Sequence, residues 1–237
     1  MQTRSLTLTA ALIIALGGAL SLTRTQAEPA VAIPPPALDT PATQGGMQTA
    51  VLAGGCFWGI QAVYQHTKGV TNAVSGYAGG SKQDAEYYSV SSGRTGHAEA
   101  VQVTFDPGVI SYGKILQIYF SVAHDPTQLD EQGPDMGPQY RSEIFAQDET
   151  QQKIAKAYVA QLDAAKVFAK PIVTKIGGSQ TFYPAEDYHQ DYATKHPNQP
   201  YIAHFDLPKI ENLKQMFAAL IARRQCWWSS PKAATKL

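Results

Sequence analysis

Cys56 sits in the pentapeptide Gly55-Cys56-Phe57-Trp58-Gly59, between the short apolar run Thr49 to Ala53 and a segment of helical spacing. A cysteine on a glycine-flanked turn from strand to helix is a place to build a nucleophile. Gly54-Gly55 lets the backbone turn sharply and approach a ligand, and the first free amides of the helix face the sulfur and favour thiolate over thiol. A helix terminus stabilises a nearby anion by about 0.3 to 1 kcal/mol, about 2 at best, whereas one pKa unit is about 1.36 kcal/mol. The dipole therefore lowers an ordinary thiol only partway, and the rest of the activation must come from a substrate or a neighbouring acid. The competing reading of Cys56 is a small core residue, a common place for free cysteine.

The elements that must position it follow from periodicity. Gly59 to Gln65 puts Ile60, Val63 and Tyr64 on one helix face. Val70 to Tyr77 and Ala98 to Phe105 read as strands, the latter stopped by Asp106-Pro107-Gly108. Ser111 opens a helix bearing Ile115, Ile118, Tyr119 and Val122. Asp125 to Gln139 is rich in Asp, Pro and Gly and reads as a long ordered loop. A strand over Arg141 to Ala146 follows, then a helix capped by Asp148 with Ile154, Tyr158, Leu162 and Ala165 on one face. Ile172 to Ile176 reads as a strand and Ile210 to Arg224 as a final amphipathic helix. Strands and helices in this order imply an α+β domain, a mixed or antiparallel sheet sandwich with flanking helices and a ferredoxin-like core.

The first 27 residues have the pattern of an export signal: Arg4, an apolar stretch from Leu6 to Leu22, and the small-residue site Thr25-Gln26-Ala27, with Ala30-Val31-Ala32 a second possible cut. Export to an oxidising compartment, a bacterial periplasm, is the expectation. Residues 28–46 carry Pro29, Pro34, Pro35, Pro36 and Pro41 among small residues and read as a flexible or extended leader. Residues 47–228 suffice for one domain, and 229–237 read as a disordered tail. The chain has 19 basic and 19 acidic residues and no basic stripe, so it has no signature of a nucleic-acid binder. Its two cysteines, Cys56 and Cys226, do not make a disulfide scaffold, but they could be one bridge or one working pair. The six histidines show neither HExxH nor a CxxC partner, and neither a metal nor an organic cofactor is expected.

Four further segments are rich in chemistry: Tyr87-Tyr88, Thr95-Gly96-His97-Ala98-Glu99, Asp135 to Tyr140, and Tyr183 to Tyr192. With the cysteine pentapeptide, and with His124-Asp125-Pro126-Thr127-Gln128, Gln139-Tyr140-Arg141-Ser142 and Ala185-Glu186-Asp187-Tyr188-His189-Gln190 in the same order, the chain from Thr49 to Phe217 resembles the A-type peptide methionine sulfoxide reductases. The resemblance implies reduction of the S epimer of methionine sulfoxide, free or in oxidised proteins, to methionine, with a thioredoxin-like reductant as partner; a monomer is expected.

Sulfoxide sulfur is electrophilic but its oxygen leaves poorly, so attack by a thiolate needs an acid to protonate that oxygen. The resemblance makes Cys56 the nucleophile and Glu99 the acid. A solvated Glu titrates near 4.3, so Glu99 requires a dry pocket that raises its pKa; Ala98, Ala100 and Val101 beside it fit one. Tyr87 and Tyr140 match the family's hydroxyl donors to the sulfoxide oxygen, and Phe57 and Trp58 its apolar wall for the substrate methyl. Asp135 is carried over as a polar edge of the pocket, and Glu186, Asp187 and His189 as a supporting shell. Attack leaves methionine and a sulfenic acid on Cys56. In many relatives a second, C-terminal cysteine resolves it as a disulfide that a thioredoxin-like donor opens, and here Cys226 is the only candidate. It stands between Arg223-Arg224-Gln225 and Trp227-Trp228 rather than in a glycine-rich tail, and Ser91 replaces another cysteine of some relatives.

Two other readings use the same residues. In a thiol hydrolase, Cys56 would pair with a histidine such as His97 or His189. In a redox-sensing or binding module, a Cys56–Cys226 disulfide would be structural.

Overall fold

A computed structural model describes residues 28–40 and 45–228; the expected signal segment and the tail after Trp228 lie outside the described residues. Its strands are β1 (Gln48–Ala53), β2 (Val70–Ala78), β3 (Ala98–Phe105), β4 (Glu131–Gln132), β5 (Asp135–Met136), β6 (Glu143–Phe145), β7 (Lys175–Gly177) and β8 (Phe182–Pro184). Its α-helices are α1 (Phe57–Gln65), α2 (Tyr87–Ser91), α3 (Tyr112–Ile118), α4 (Glu149–Ala164), α5 (Tyr192–Lys195) and α6 (Leu207–Met216).

Six strands form one sheet in the order β7-β6-β1-β3-β2-β8, antiparallel except for the parallel β6–β7 pair, while β4 and β5 make a separate two-stranded ribbon. The architecture is α+β. The expected sandwich of sheets is replaced by a single sheet whose main apolar face is covered by α1, α3 and α4. Period-2 alternation sorts the residues: Ala50, Leu52, Val101, Val103 and Phe105 join Ile60, Tyr64, Ile115, Leu116, Ile154 and Tyr158 in the main core. Val51, Ala53, Ala98, Ala100 and Phe145 form a smaller cluster on the reverse face.

The capping residues read from sequence are in place. Ser111 Oγ accepts from the Lys114 N–H (3.1 Å) at the start of α3, and Asp148 Oδ1 accepts from the Gln151 N–H (2.8 Å) at the start of α4. The helix begun by α3 continues with wider turns to Ala123, and this continuation, Tyr119–Ala123, is buried throughout.

Three local expectations differ. The strand expected over Ile172 to Ile176 is displaced to β7, and the last helix ends at Met216 rather than Arg224. Beyond it the chain leaves the helix to run beside the end of α1: Thr67 pairs with Ile221, the Lys68 N–H donates to the Leu220 C=O (2.6 Å) and the Ala222 N–H to the His66 C=O (2.9 Å). The backbone bonds of this antiparallel contact replace those a longer helix would have made.

The third difference is the proline-rich leader, which is extended but docked rather than flexible over residues 28–40. Ile33 is buried in the main core. The Val31 N–H donates to the Ser121 C=O (2.9 Å), and Gln117 Nε2, Tyr158 Oη and Gln161 Nε2 donate to the carbonyls of Ile33, Pro34 and Pro35 at 3.0, 2.7 and 2.9 Å. Asp39 accepts from Ser111 Oγ (2.6 Å) and the Gly113 N–H (2.7 Å). Proline carries no N–H to satisfy, so Pro34 and Pro35 ask of α4 only donors to their carbonyls, and Gln161 Oε1 accepts from the Ala37 N–H beyond them (2.7 Å).

Candidate active site

The turn into α1 places Cys56 as the residue capping that helix, with Phe57 as its first residue. Gly55 has φ of +94°, and a Cβ there would stand 2.6 Å from the Gln132 Cβ, so both conformation and space demand glycine. Cys56 is 8% exposed and its thiol is free.

Glu99 lies on β3 with the parity of Val101 and Val103, so its side chain is directed under α1 rather than into solvent. It is 2% exposed, and its Oε2 accepts from the Phe57 N–H at 3.1 Å. Burial pushes its pKa up to about 8, against the Phe57 hydrogen bond, with the charges of Asp135 and Asp206 adding to the rise. The dry environment expected for Glu99 is present, but Ala98 and Ala100 do not line it: alternation turns them to the reverse face. The pocket is closed instead by the helix start and by Tyr77, which pairs with Glu99 across β2 and β3 and whose ring lies 5.9 Å from that of Phe57.

The helix amides do not win at Cys56. Burial, followed by the neighbouring carboxyl groups of Glu99, Asp206 and Asp135, pushes its pKa well above that of an ordinary thiol, and the Trp58 N–H facing the sulfur offsets only part of this. The partial help expected from the helix terminus is outweighed: a terminus contributing about 1 kcal/mol cannot offset desolvation beside three carboxyl groups. Cys56 and Glu99 therefore both hold their protons near neutral pH.

Tyr87, the first residue of α2, and Tyr140 both lie within electrostatic reach of Glu99 and Cys56. Both phenols are held above their ordinary pKa, first by burial and next by Glu99, so they remain neutral donors. Asp135, on β5, accepts a short hydrogen bond from Tyr201 Oη, and burial raises its pKa. Phe57 and Trp58 form an aromatic wall with His189, with ring centroids 5.2 and 5.7 Å from the imidazole, and Trp58 stacks on Tyr192 at 4.0 Å.

The supporting shell divides. Glu186 Oε1 accepts from the Tyr87 N–H and its Oε2 from Tyr77 Oη, both at 2.9 Å, so it positions one expected donor and one strand tyrosine. Burial opposes ionisation of Glu186, but these hydrogen bonds bring its pKa below the usual value. His189 is 3% exposed and accepts from Trp58 Nε1 through Nδ1 (3.2 Å); burial lowers its pKa and keeps it neutral. Asp187 is exposed, so it is not gathered into this shell.

The sequence reading missed Tyr201, Asp206 and Lys209, of which Tyr201 and Lys209 line the pocket together with Cys56 and Asp135. Asp206 is fully buried, 3.8 Å from Lys209 Nζ, and burial raises its pKa to about 6. A side chain on Gly59 would collide with Asp206. The i, i+3 spacing of Asp206 and Lys209 around Pro208 was a usable signal, lost because the helix was begun at Ile210.

Cys226 stands apart. Its N–H donates to the Gln65 C=O (3.1 Å), at the far end of the helix that Cys56 caps, and burial pushes its thiol up to about 11. Nine residues at ~1.5 Å rise put the two ends roughly 13 Å apart, whereas a disulfide needs Cα atoms within about 7 Å. The tail is held by Gln225 Nε2 on Gln65 Oε1 (3.1 Å) and Thr194 Oγ1 (2.6 Å), and by the Trp228 N–H on Asp191 Oδ1 (3.1 Å).

The other candidate histidine, His97, has both ring nitrogens on backbone: Nδ1 accepts from the Gly80 N–H (3.2 Å) and Nε2 meets the Ser81 C=O (2.8 Å). Neither His97 nor His189 is bonded to Cys56.

The chain is similar to several known proteins. A protein called peptide methionine sulfoxide reductase MsrA 2 from Mesorhizobium japonicum is 60% identical over 179 residues, covering 76% of this chain and 92% of that protein. An MsrA of Thermus thermophilus is 47% identical over 174 residues, covering 73% and 97%. Among solved structures, reduced Mxr1 from Saccharomyces cerevisiae matches with a TM-score of 0.59 at 31% identity, covering 70% of this chain and 94% of that one. Methionine sulfoxide reductase A of Corynebacterium diphtheriae matches with a TM-score of 0.55 at 33% identity, covering 73% and 86%. The model of the family described as peptide methionine sulfoxide reductase matches residues 48–220, and with the cysteine, the buried acid and the aromatic wall all inside that span, this chain belongs to the peptide methionine sulfoxide reductase family.

Proposed function

We propose that the protein reduces methionine S-sulfoxide, in oxidised proteins or free, to methionine. The observation that carries this reading is the buried Glu99 carboxyl, protonated near neutral pH and hydrogen-bonded to the first amide of the helix that Cys56 caps. Glu99 protonates the sulfoxide oxygen as Cys56 sulfur attacks the substrate sulfur, and the thiol proton replaces the one Glu99 gave. The Tyr87 and Tyr140 hydroxyls stabilise the oxygen without titrating. The S–S bond made in the attack and the substrate S–O bond then break as the hydroxyl moves to the Cys56 sulfur, so thiol plus sulfoxide become cysteine sulfenic acid plus methionine, with atoms and electrons conserved.

The Cys226 thiol then condenses with the sulfenic acid, releasing water and forming a disulfide that a thioredoxin-like dithiol reduces. The separation along α1 requires the tail to leave its dock first. The hydrolase reading lacks a histidine on Cys56, and the structural-disulfide reading lacks the bridge, since both thiols are free.

The reading extends to address and fold. The pattern of the first 27 residues supports export to a periplasm, where a monomer would repair oxidised proteins. The chain order β1-α1-β2-β3-α3-β6, with β6-β1-β3-β2 adjacent in the sheet, supports a ferredoxin-like core.

The test is turnover of separate R and S epimers of a methionine sulfoxide peptide with dithiothreitol, methionine being followed by chromatography. Reduction of S alone is expected; reduction of neither by folded, reduced protein would overturn the assignment.

A further inference from the structure

The docked leader precedes residues 48–220, the span shared with the family, yet its first described residue reaches a pocket that Cys56 also lines. Glu28 lines that pocket together with Cys56, Gln132, Asp135 and Lys209. Its Oε2 accepts from the Asp125 N–H (3.0 Å) and its Oε1 from Gln128 Nε2 (2.9 Å).

These two partners hold the loop that walls Cys56. The Asp125 N–H is shared with Gln132 Oε1 (3.1 Å), and Gln132 Nε2 donates back to the Asp125 C=O at 2.5 Å. Gln128 Oε1 accepts from the Gly133 N–H at 2.8 Å. Gln132 is the side chain packed on Gly55, next to the nucleophile. One carboxylate thus ties the start of the loop to the segment that turns back under Cys56. Three contacts farther along the leader fix where Glu28 can be: the buried Ile33, the Val31 to Ser121 bond, and Asp39 on α3.

We propose that Glu28 is a positioning residue for the reaction and that the leader is a working part of the catalytic domain. By clamping Asp125 and Gln128 it sets the Gln132 to Asp135 wall against which the substrate sulfoxide is held. The inference rests on the reductase reading for its activity arm only.

The experiment compares full-length wild type, Glu28→Ala, Glu28→Gln and, to release the leader at a second point, Asp39→Ala. Steady-state reduction of an S-sulfoxide peptide with dithiothreitol is measured alongside hydrogen exchange of the 125–133 segment. Glu28→Ala is expected to lower kcat/KM on the order of tenfold, because small displacements at a reacting centre are costly, chiefly through KM, with faster exchange across 125–133 and little change in Tm. Glu28→Gln keeps one acceptor oxygen and is expected to restore part of both. Asp39→Ala is expected to shift exchange in the same segment without touching the pocket. Unchanged exchange and unchanged kcat/KM in Glu28→Ala would overturn the proposal, as would a fall in Tm with kcat/KM per folded molecule intact. Wild-type inactivity on the peptide would count against the reductase reading alone, since the exchange arm still reports on the clamp.

Discussion

The Glu99 carboxylate and the Phe57 amide meet at 3.1 Å, so the acid hangs from the first turn of the helix capped by Cys56. Because that bond fails to hold the carboxyl ionised against its burial, Glu99 keeps a proton that it can deliver within one turn of the attacking sulfur.

The first prediction concerns that proton. Reduction supported by dithiothreitol should fall as pH rises through about 8, where Glu99 ionises. Glu99→Gln, which still donates a hydrogen bond, should slow the reaction less than Glu99→Ala and should lose this descending limb. Equal loss in both variants would argue against an acid role.

The same raised pKa bears on stability. A carboxyl moved from 4.5 to about 8 on folding contributes its full stability below 4.5 and loses it as pH rises through 8. The Tm of wild type relative to Glu99→Gln should therefore decline over that interval, as thermal unfolding across a pH series would show.

Cys56→Ser should abolish sulfoxide reduction and leave the circular dichroism spectrum and Tm close to wild type, because the thiol is neither bridged nor the helix's side-chain cap. Cys226→Ser should keep activity with dithiothreitol and lose it with a protein dithiol donor. Activity with both donors would make Cys226 dispensable.

Asp206 and Lys209 form a buried ion pair. Lys209→Met strands a carboxylate in a dry site and should cost about 3 kcal/mol in urea unfolding, whereas the double variant with Asp206→Asn should recover much of it.

Gly55→Ala forces a β-carbon into Gln132 at a φ of +94°. A loss of about 1–3 kcal/mol is expected, with a raised KM as the Gln132 wall is pushed from Cys56; chemical denaturation and steady-state kinetics check the two parts.

Much of the site could be read from residue types and order. The glycine-flanked cysteine, Glu99 on a strand and the caps Ser111 and Asp148 all act through local backbone geometry, which neighbours in the chain encode. Strand parity was legible too, yet it was not applied to Ala98 and Ala100, which were assigned to the wrong face. Tyr201, Asp206 and Lys209 were missed because their importance comes from α6 and the turn leading into it packing on α1, a contact between segments about 150 residues apart.

The sequence by itself determined the glycine-flanked turn that carries Cys56 and the strand that carries Glu99, because short-range sterics and periodicity specify those backbone positions, while the order of its motifs, through the family resemblance, pointed to the roles of Cys56, Glu99, Tyr87 and Tyr140. Only the tertiary structure decided their protonation, the reach of Cys226 and the use of the leader. Desolvation depends on everything packed around a group, so the thiol that a helix terminus would lower only partway is held protonated by its burial and, after that, by the neighbouring carboxyl groups. The proline-rich leader that composition reads as unstructured is ordered because α3, α4 and the loop after Asp125 offer donors and a hydrophobic seat that no property of the leader itself announces.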